Sequence, residues 1–385
     1  MSVQRVPPRN RPGSGSLPGP GEAGGELASR LFEPFEQRGM TLRNRLGVAP
    51  MCTYSADAMD GLPTAWHVAH LGARAIGGFG LVIAEATAVE ARGRISPQDL
   101  GLWSDAHVDA WRPVTAAVAA AGAVPGVQLA HAGRKASTFR PWAPRSGRVP
   151  VAEGGWVPVG PTTEPFRAED GEVEALTEAG IGQVVQAFAA AAARAVDAGF
   201  RMVEVHGAHG YLLHEFLTPL VNQREDAYGG SAEGRERLLL EVVGAVRAAV
   251  PEDVPVWLRL SATDWVEGGL AVEDTVRVAR RAQEAGVDLV DCSSGGAVPY
   301  AKVPAEPGYQ VPFASAVRAA GVPSAAVGLI TTPAQAEAVV AAGHADVVLI
   351  GREALRDPHF PLRAARELGV PAPWPPQYLR AAPGA

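Results

Sequence analysis

The sequence predicts a single (β/α)₈ barrel. From residue 45 onward, short apolar runs alternate with longer Ala/Arg/Glu-rich stretches of helical period. About eight such pairs fit into about 340 residues, the size of a closed parallel barrel. Polar side chains also gather where the apolar runs end, which is the face where a parallel barrel builds its site. An open doubly wound sheet is the competing architecture. It requires a glycine-rich nucleotide loop after the first strand, and Met51-Cys52-Thr53-Tyr54 is not one.

The candidate strands, in order, are Arg45–Pro50, Leu81–Ala86, Val124–Leu129, Arg201–His206, Val256–Leu260, Leu289–Cys292, Ala325–Gly328 and Val347–Ile350. Candidate helices are Ala65–Ile76, Asp105–Ala121, Glu178–Ala198, Glu233–Val250, Val272–Ala285, Ala334–Ala341 and Pro361–Leu368. Several close at Ala-Gly (Gly122, Gly199, Gly286, Gly321, Gly343), where glycine supplies the left-handed conformation that ends a helix. The Pro/Gly/Arg-rich stretch 139–166 is too long for an ordinary barrel loop and predicts an excursion capping the catalytic face. Prolines in the 371–385 segment predict a stiff, extended stretch that does not fold back as a helix, with Trp374 and Tyr378 docking on a surface.

Composition narrows the function. Apolar residues are 47% and charged residues 19% of the 385, enough for a large core. A net charge of −7 excludes a general nucleic-acid binder. No apolar run reads as a membrane span. Two cysteines, Cys52 and Cys292, cannot frame disulfides or a cysteine-ligated iron–sulfur cluster, so a reduced cytoplasmic protein is expected. Residues 1–26 are Pro/Gly/Ser/Arg-rich and read as a disordered leader. Within it Gly19, Gly21 and Gly24 match a dinucleotide fingerprint, but without the strand and helix that give the motif its function.

Three constellations carry chemistry. His206, His209 and Tyr211 fall within six residues at a strand-to-loop transition. Two imidazoles can donate to one carbonyl oxygen, and a tyrosine can deliver a proton. The same stretch could offer Glu204, His206, His209 and His214 to a metal, although the metalloprotease helix signature is absent. Gln128, with a donor and an acceptor in one plane, suits a pyrimidine-like ring edge. Arg259 in the fifth strand could hold negative charge on a ring, or serve as a buried ion-pair element. Gly328 and Gly351-Arg352 sit after the last two strands, where barrels bind phosphate.

Together these segments resemble the old yellow enzyme family, in its thermophilic-like bacterial branch. The match runs from Leu31-Phe32-Glu33-Pro34 to Gln377-Tyr378-Leu379-Arg380. It includes Ala49–Ser55, Gln128–Lys135, His206–Tyr211, Asp291–Gly295 and Gly308-Tyr309-Gln310. The resemblance implies non-covalent FMN, with Ala49, Pro50, Met51, Cys52, Ala86, Gln128 and Arg259 around its ring. Ser294, Gln310, Gly328, Gly351 and Arg352 would approach the ribityl chain and phosphate. It implies Cys52 as a tuner of the flavin, His206 and His209 on the substrate carbonyl, Tyr211 as proton donor and Tyr54 as a substrate contact. NADPH, or NADH, would give hydride in ping-pong order to activated alkenes. Arg380 would reach a neighbouring subunit's pocket in a homodimer or homotetramer. The alternatives are a flavin-free phosphate-binding aldolase or isomerase, whose Schiff-base lysine would be Lys135 or Lys302, and a non-enzymatic FMN-binding protein.

Overall fold

A computed structural model describes residues 29–382. The 1–26 leader and its glycine pattern lie outside the described residues. Eight parallel strands close into a barrel: β1 (Leu46–Val48), β2 (Leu81–Ala88), β3 (Val124–Ala130), β4 (Met202–Gly207), β5 (Val256–Ser261), β6 (Leu289–Ser293), β7 (Ser324–Ala326) and β8 (Val347–Ile350). Each pairs with its sequence neighbour, and β8 returns to β1 through Val348↔Leu46. Around them lie α1 (Ala65–Ile76), α2 (Asp105–Ala120), α3 (Glu178–Asp197), α4 (Ala232–Ala249), α5 (Val272–Glu284), α6 (Val311–Ala319), α7 (Pro333–Ala341) and α8 (Phe360–Glu367).

The pattern works because each strand is buried on both faces, which the continuous Val/Ile/Leu runs permit. One apolar layer fills the barrel floor through Met40, Leu42, Ile83, Met202, Trp257 and Leu349. A larger one joins strands to helices. By length and apolarity alone α3 could cross a membrane. Its Ile181, Val184, Phe188 and Ala191 are instead buried in the layer between helices and strands. The five Ala-Gly closures do end helices, each glycine with φ between 71° and 113°.

The structure corrects several boundaries. β1 stops before Pro50, which has no N–H for the ladder. β7 ends at Ala326, and Gly328 leaves the ladder at φ +125°. Elements not anticipated include the antiparallel hairpin Phe35–Gln37/Met40–Leu42, the helix α6, the short helices Leu212–Leu217 and Arg352–Arg356, and the two-stranded parallel sheet Val159–Gly160/Glu174–Ala175. The excursion is longer than 139–166, filling the whole interval between Ala130 and Glu178. The C-terminal segment is not wholly extended, because Pro376–Ala381 forms a 3₁₀ helix. Its prolines stand before and in the first turn, where a missing N–H costs nothing. The Pro373–Tyr378 stretch, which runs into the start of that helix, lies along the C-terminal ends of α1 and α2, beside Ile76 and Ala120. That is the barrel's N-terminal end, away from the catalytic face.

Candidate active site

At the C-terminal ends of β1, β5, β6, β7 and β8 lies a cavity of about 230 Å³. It is lined by Ala49, Pro50 and Met51 from β1, Arg259 from β5, Gln310, Gly328, and Gly351 with Arg352 after β8. Cys52, Ala86, Gln128 and Ser294 stand at neighbouring strand ends rather than in its wall.

The residues present fit a bound FMN. Arg259 is buried and its Nε lies 3.0 Å from Asp291, yet without hydrogen-bond alignment. Arg259 thus acts as an ion-pair element while also facing the cavity, where a planar cation suits a ring carrying negative charge. Gln128 donates from Nε2 to Glu204 at 2.7 Å, which leaves its amide oxygen as the group for a ring N–H. Burial and the nearby Asp291 push Glu204 up to about 8. Ser294 donates to Gln310 at 2.7 Å, and Gln310 donates to the Val327 carbonyl at 2.9 Å. A Cβ on Gly328 would come within 2.9 Å of Gln310 Nε2, so the close approach and the positive φ both call for glycine.

The second group stands on the loop after β4. His206 and His209 rings are 5.1 Å apart and nearly perpendicular, and the Tyr211 ring is 5.0 Å from His206. The imidazoles therefore meet edge to face rather than side by side. His206 Nδ1 accepts from Ala208 N–H at 3.3 Å, so its proton belongs on Nε2. His209 Nε2 contacts Ser293 Oγ at 2.6 Å, and the His209 backbone N–H donates to Ser261 Oγ at 2.9 Å. His209 has φ +60°. Lys135 anchors this conformation by donating to the His209 carbonyl at 2.7 Å and the Gly296 carbonyl at 3.3 Å.

Electrostatics suit neutral donors. Burial and then the Arg259 charge hold both histidines well below their ordinary value. Burial pushes Tyr211 and Tyr54 up, so both phenols keep their protons. The half-buried Cys52 thiol is raised by burial and by Asp99 and Glu85. It stays a thiol, which argues against a nucleophile.

Of the metal alternative, His214 turns away to Asp264 at 3.0 Å. Among the described residues no group of three candidate ligands could hold a metal ion. Lys135 spends its donors on two carbonyls, which sets it apart from a free Schiff-base amine. Sequence reasoning missed the work of Lys135, Ser261, Ser293, Glu204 and Glu85. The available signals were a glutamate inside each of two fully buried strands, β2 and β4, and the rarity of lysine, with only Lys135 and Lys302 in the chain.

A model of the NADH:flavin oxidoreductase / NADH oxidase family matches residues 30–370. The NADPH dehydrogenase of Geobacillus sp. (strain WCH70) is 46% identical over 355 residues, 92% of this chain and 99% of that protein. That of Bacillus subtilis (strain 168) is 43% identical over 355 residues, with the same two shares. The old yellow enzyme homologue from Zymomonas mobilis superposes with a TM-score of 0.72 at 27% identity, covering 92% of this chain and 99% of that one. A 2-naphthoyl-CoA reductase complex superposes with a TM-score of 0.79 at 27% identity over 89% of this chain. The chain spans about half the length of that reductase, 53%.

Proposed function

Because this chain belongs to the NADH:flavin oxidoreductase / NADH oxidase family, as an oxidoreductase of the old yellow enzyme type, we propose that it is an FMN-dependent ene-reductase. NADPH, or NADH, is the hydride source, and enones, maleimides and nitroalkenes are the acceptors, in ping-pong order. The observation that carries the reading is the placement of two neutral histidines and a protonated tyrosine beside a cavity containing a buried arginine.

FMN, when bound, supplies the hydride chemistry, and the chain supplies orientation, polarisation and the proton. Ala49, Pro50, Met51, Cys52, Ala86, Gln128 and Arg259 hold the ring; Ser294, Gln310, Gly328, Gly351 and Arg352 hold the chain and phosphate. His206 donates from Nε2 to the substrate oxygen, and His209 assists, so electron density is drawn from the β-carbon. Tyr211, kept protonated by burial, protonates the α-carbon. Tyr54 contacts the substrate, and the Cys52 thiol adjusts the flavin's potential. The nicotinamide and the alkene use one pocket in turn.

Arg380 belongs to the segment lying at the barrel's opposite end from its own pocket, so we assign it to the pocket of a second copy in a homodimer or a tetramer of dimers. The direct test of the cofactor assignment is colour. Purified protein should be yellow and should bleach with NADPH under anaerobic conditions. A colourless protein that takes up no FMN would overturn it.

A further inference from the structure

We propose that Glu85 is a positioning residue for the mouth of the site. Its carboxylate clamps Thr53, and so fixes Cys52 and Tyr54 on either side of it. The proposal rests on the roles assigned above to Cys52 and Tyr54.

Glu85 is the one charged residue in β2, and that strand is buried throughout. The β2–β3 register shifts between Ala84, opposite Val127, and Ala86, opposite Gln128. Glu85 is thus the extra residue of a bulge, a device that re-aims a side chain next to a site. One bulge here does two things. It leaves Ala86 opposite Gln128, and it sends the Glu85 carboxylate across to the loop after β1. There it accepts the Thr53 N–H at 2.8 Å and the Thr53 hydroxyl at 2.7 Å. The next residue, Tyr54, has φ +48°, a conformation that a non-glycine residue keeps only when its surroundings fix it.

The surroundings of the carboxylate make a purely packing role a poor account. Asp99, fully buried in the segment after β2, repels it, and Cys52 and Tyr54 face it from the loop. From α1, His67 accepts the Thr64 N–H on Nδ1, so its proton lies on Nε2. That Nε2 stands 4.0 Å from Glu85 and makes no hydrogen bond. No cation among the described residues therefore meets Glu85 at bonding distance, and burial pushes it up to about 7. What holds the carboxylate is the Thr53 clamp itself. A buried acid is expensive to keep, and two directional bonds to one loop residue are its return.

The test is amide hydrogen exchange at Thr53 and Tyr54 in the purified full chain, with Cys52 reactivity toward a small disulfide reagent alongside. In Glu85→Ala both should quicken by about tenfold or more, the loss expected for hydrogen bonds to a charged group. Bound FMN should be retained, and the KM for an enone should rise more than kcat falls. Glu85→Gln, which keeps one acceptor, should fall between. If Glu85→Ala does not fold, Thr53→Val removes the hydroxyl bond and should give a smaller change in the same direction. Unchanged exchange and thiol reactivity in the folded variants would overturn the clamp. Quickened exchange in Glu85→Ala, together with a wild-type protein that takes up no FMN, would leave the clamp standing and refute the flavin reading instead.

Discussion

Replacing Lys135 by methionine should separate the stability of the fold from the geometry of the site. Nζ donates to the His209 and Gly296 carbonyls and lies 5.1 Å above the Tyr211 ring and 4.5 Å from that of Phe166. Against these contacts, burial lowers the amine from 10.5 to about 8, outweighing the attraction of Glu215. At pH 7 the folded protein therefore holds the ammonium at a disadvantage on the order of 3 kcal/mol relative to the unfolded chain, a balance that already includes its charge contacts. Methionine removes that cost but leaves two carbonyls without their donor, at about 1–3 kcal/mol. The two nearly cancel, so stability by denaturant titration should change by no more than about 2 kcal/mol. The site should suffer more. The His209 backbone at φ +60° loses a charge-assisted anchor, and phenol affinity by calorimetry should fall roughly 10- to 100-fold. The pH dependence fixes the sign. Between pH 8 and 10.5 the unfolded chain binds the proton and the folded chain does not, so wild-type stability gains over that window from Lys135. The methionine variant should lack that gain. A loss of several kcal/mol with phenol affinity intact would show that Lys135 staples the fold and leaves the site alone.

The remaining expectations concern residues at the chemistry. His206→Ala and His209→Ala should each weaken phenol and enone binding by roughly 1–3 kcal/mol while leaving FMN in place. Because both imidazoles are held neutral, wild-type phenol affinity should show no histidine titration near pH 6.5; calorimetry across pH checks both points. Tyr211→Phe should slow reoxidation by an enone ~10²–10⁴-fold in stopped flow, with reduction by NADPH nearly unchanged. Nitroalkenes, which can leave unprotonated, should be affected less. Cys52→Ala should keep FMN and turnover but move the flavin potential, measured by redox titration with an indicator dye.

Much of this arrangement was legible in the sequence because barrel strands and their helices have strong local signatures. α1 has the limits that its apolar period and closing residues set. What was missed is short or non-local. The Phe35–Gln37/Met40–Leu42 hairpin has three residues a side, and its buried Met40 and Leu42 matter only because the barrel floor needs covering. The start of α6 was hidden by Pro312 at its first turn, although its Ala320-Gly321 end was visible. The histidines and Tyr211 stood out through spacing. Glu85 did not, and Glu204 surfaced only as a candidate metal ligand, because a buried acid shows its purpose only when Thr53 or Gln128 arrives from a neighbouring segment. The perpendicular histidine rings were equally invisible, since Ser293, 84 residues away, sets the His209 orientation.

The claim that one pocket reduces activated alkenes is tested most directly by the oxidative half-reaction. Protein reduced with one equivalent of NADPH, freed of nicotinamide and kept anaerobic, is mixed with 2-cyclohexen-1-one. The yellow absorbance should return in a single phase as one equivalent of cyclohexanone forms per flavin, and this phase should slow sharply in the His206→Ala/His209→Ala variant. Flavin that stays reduced until oxygen is admitted, with no ketone formed, would contradict it.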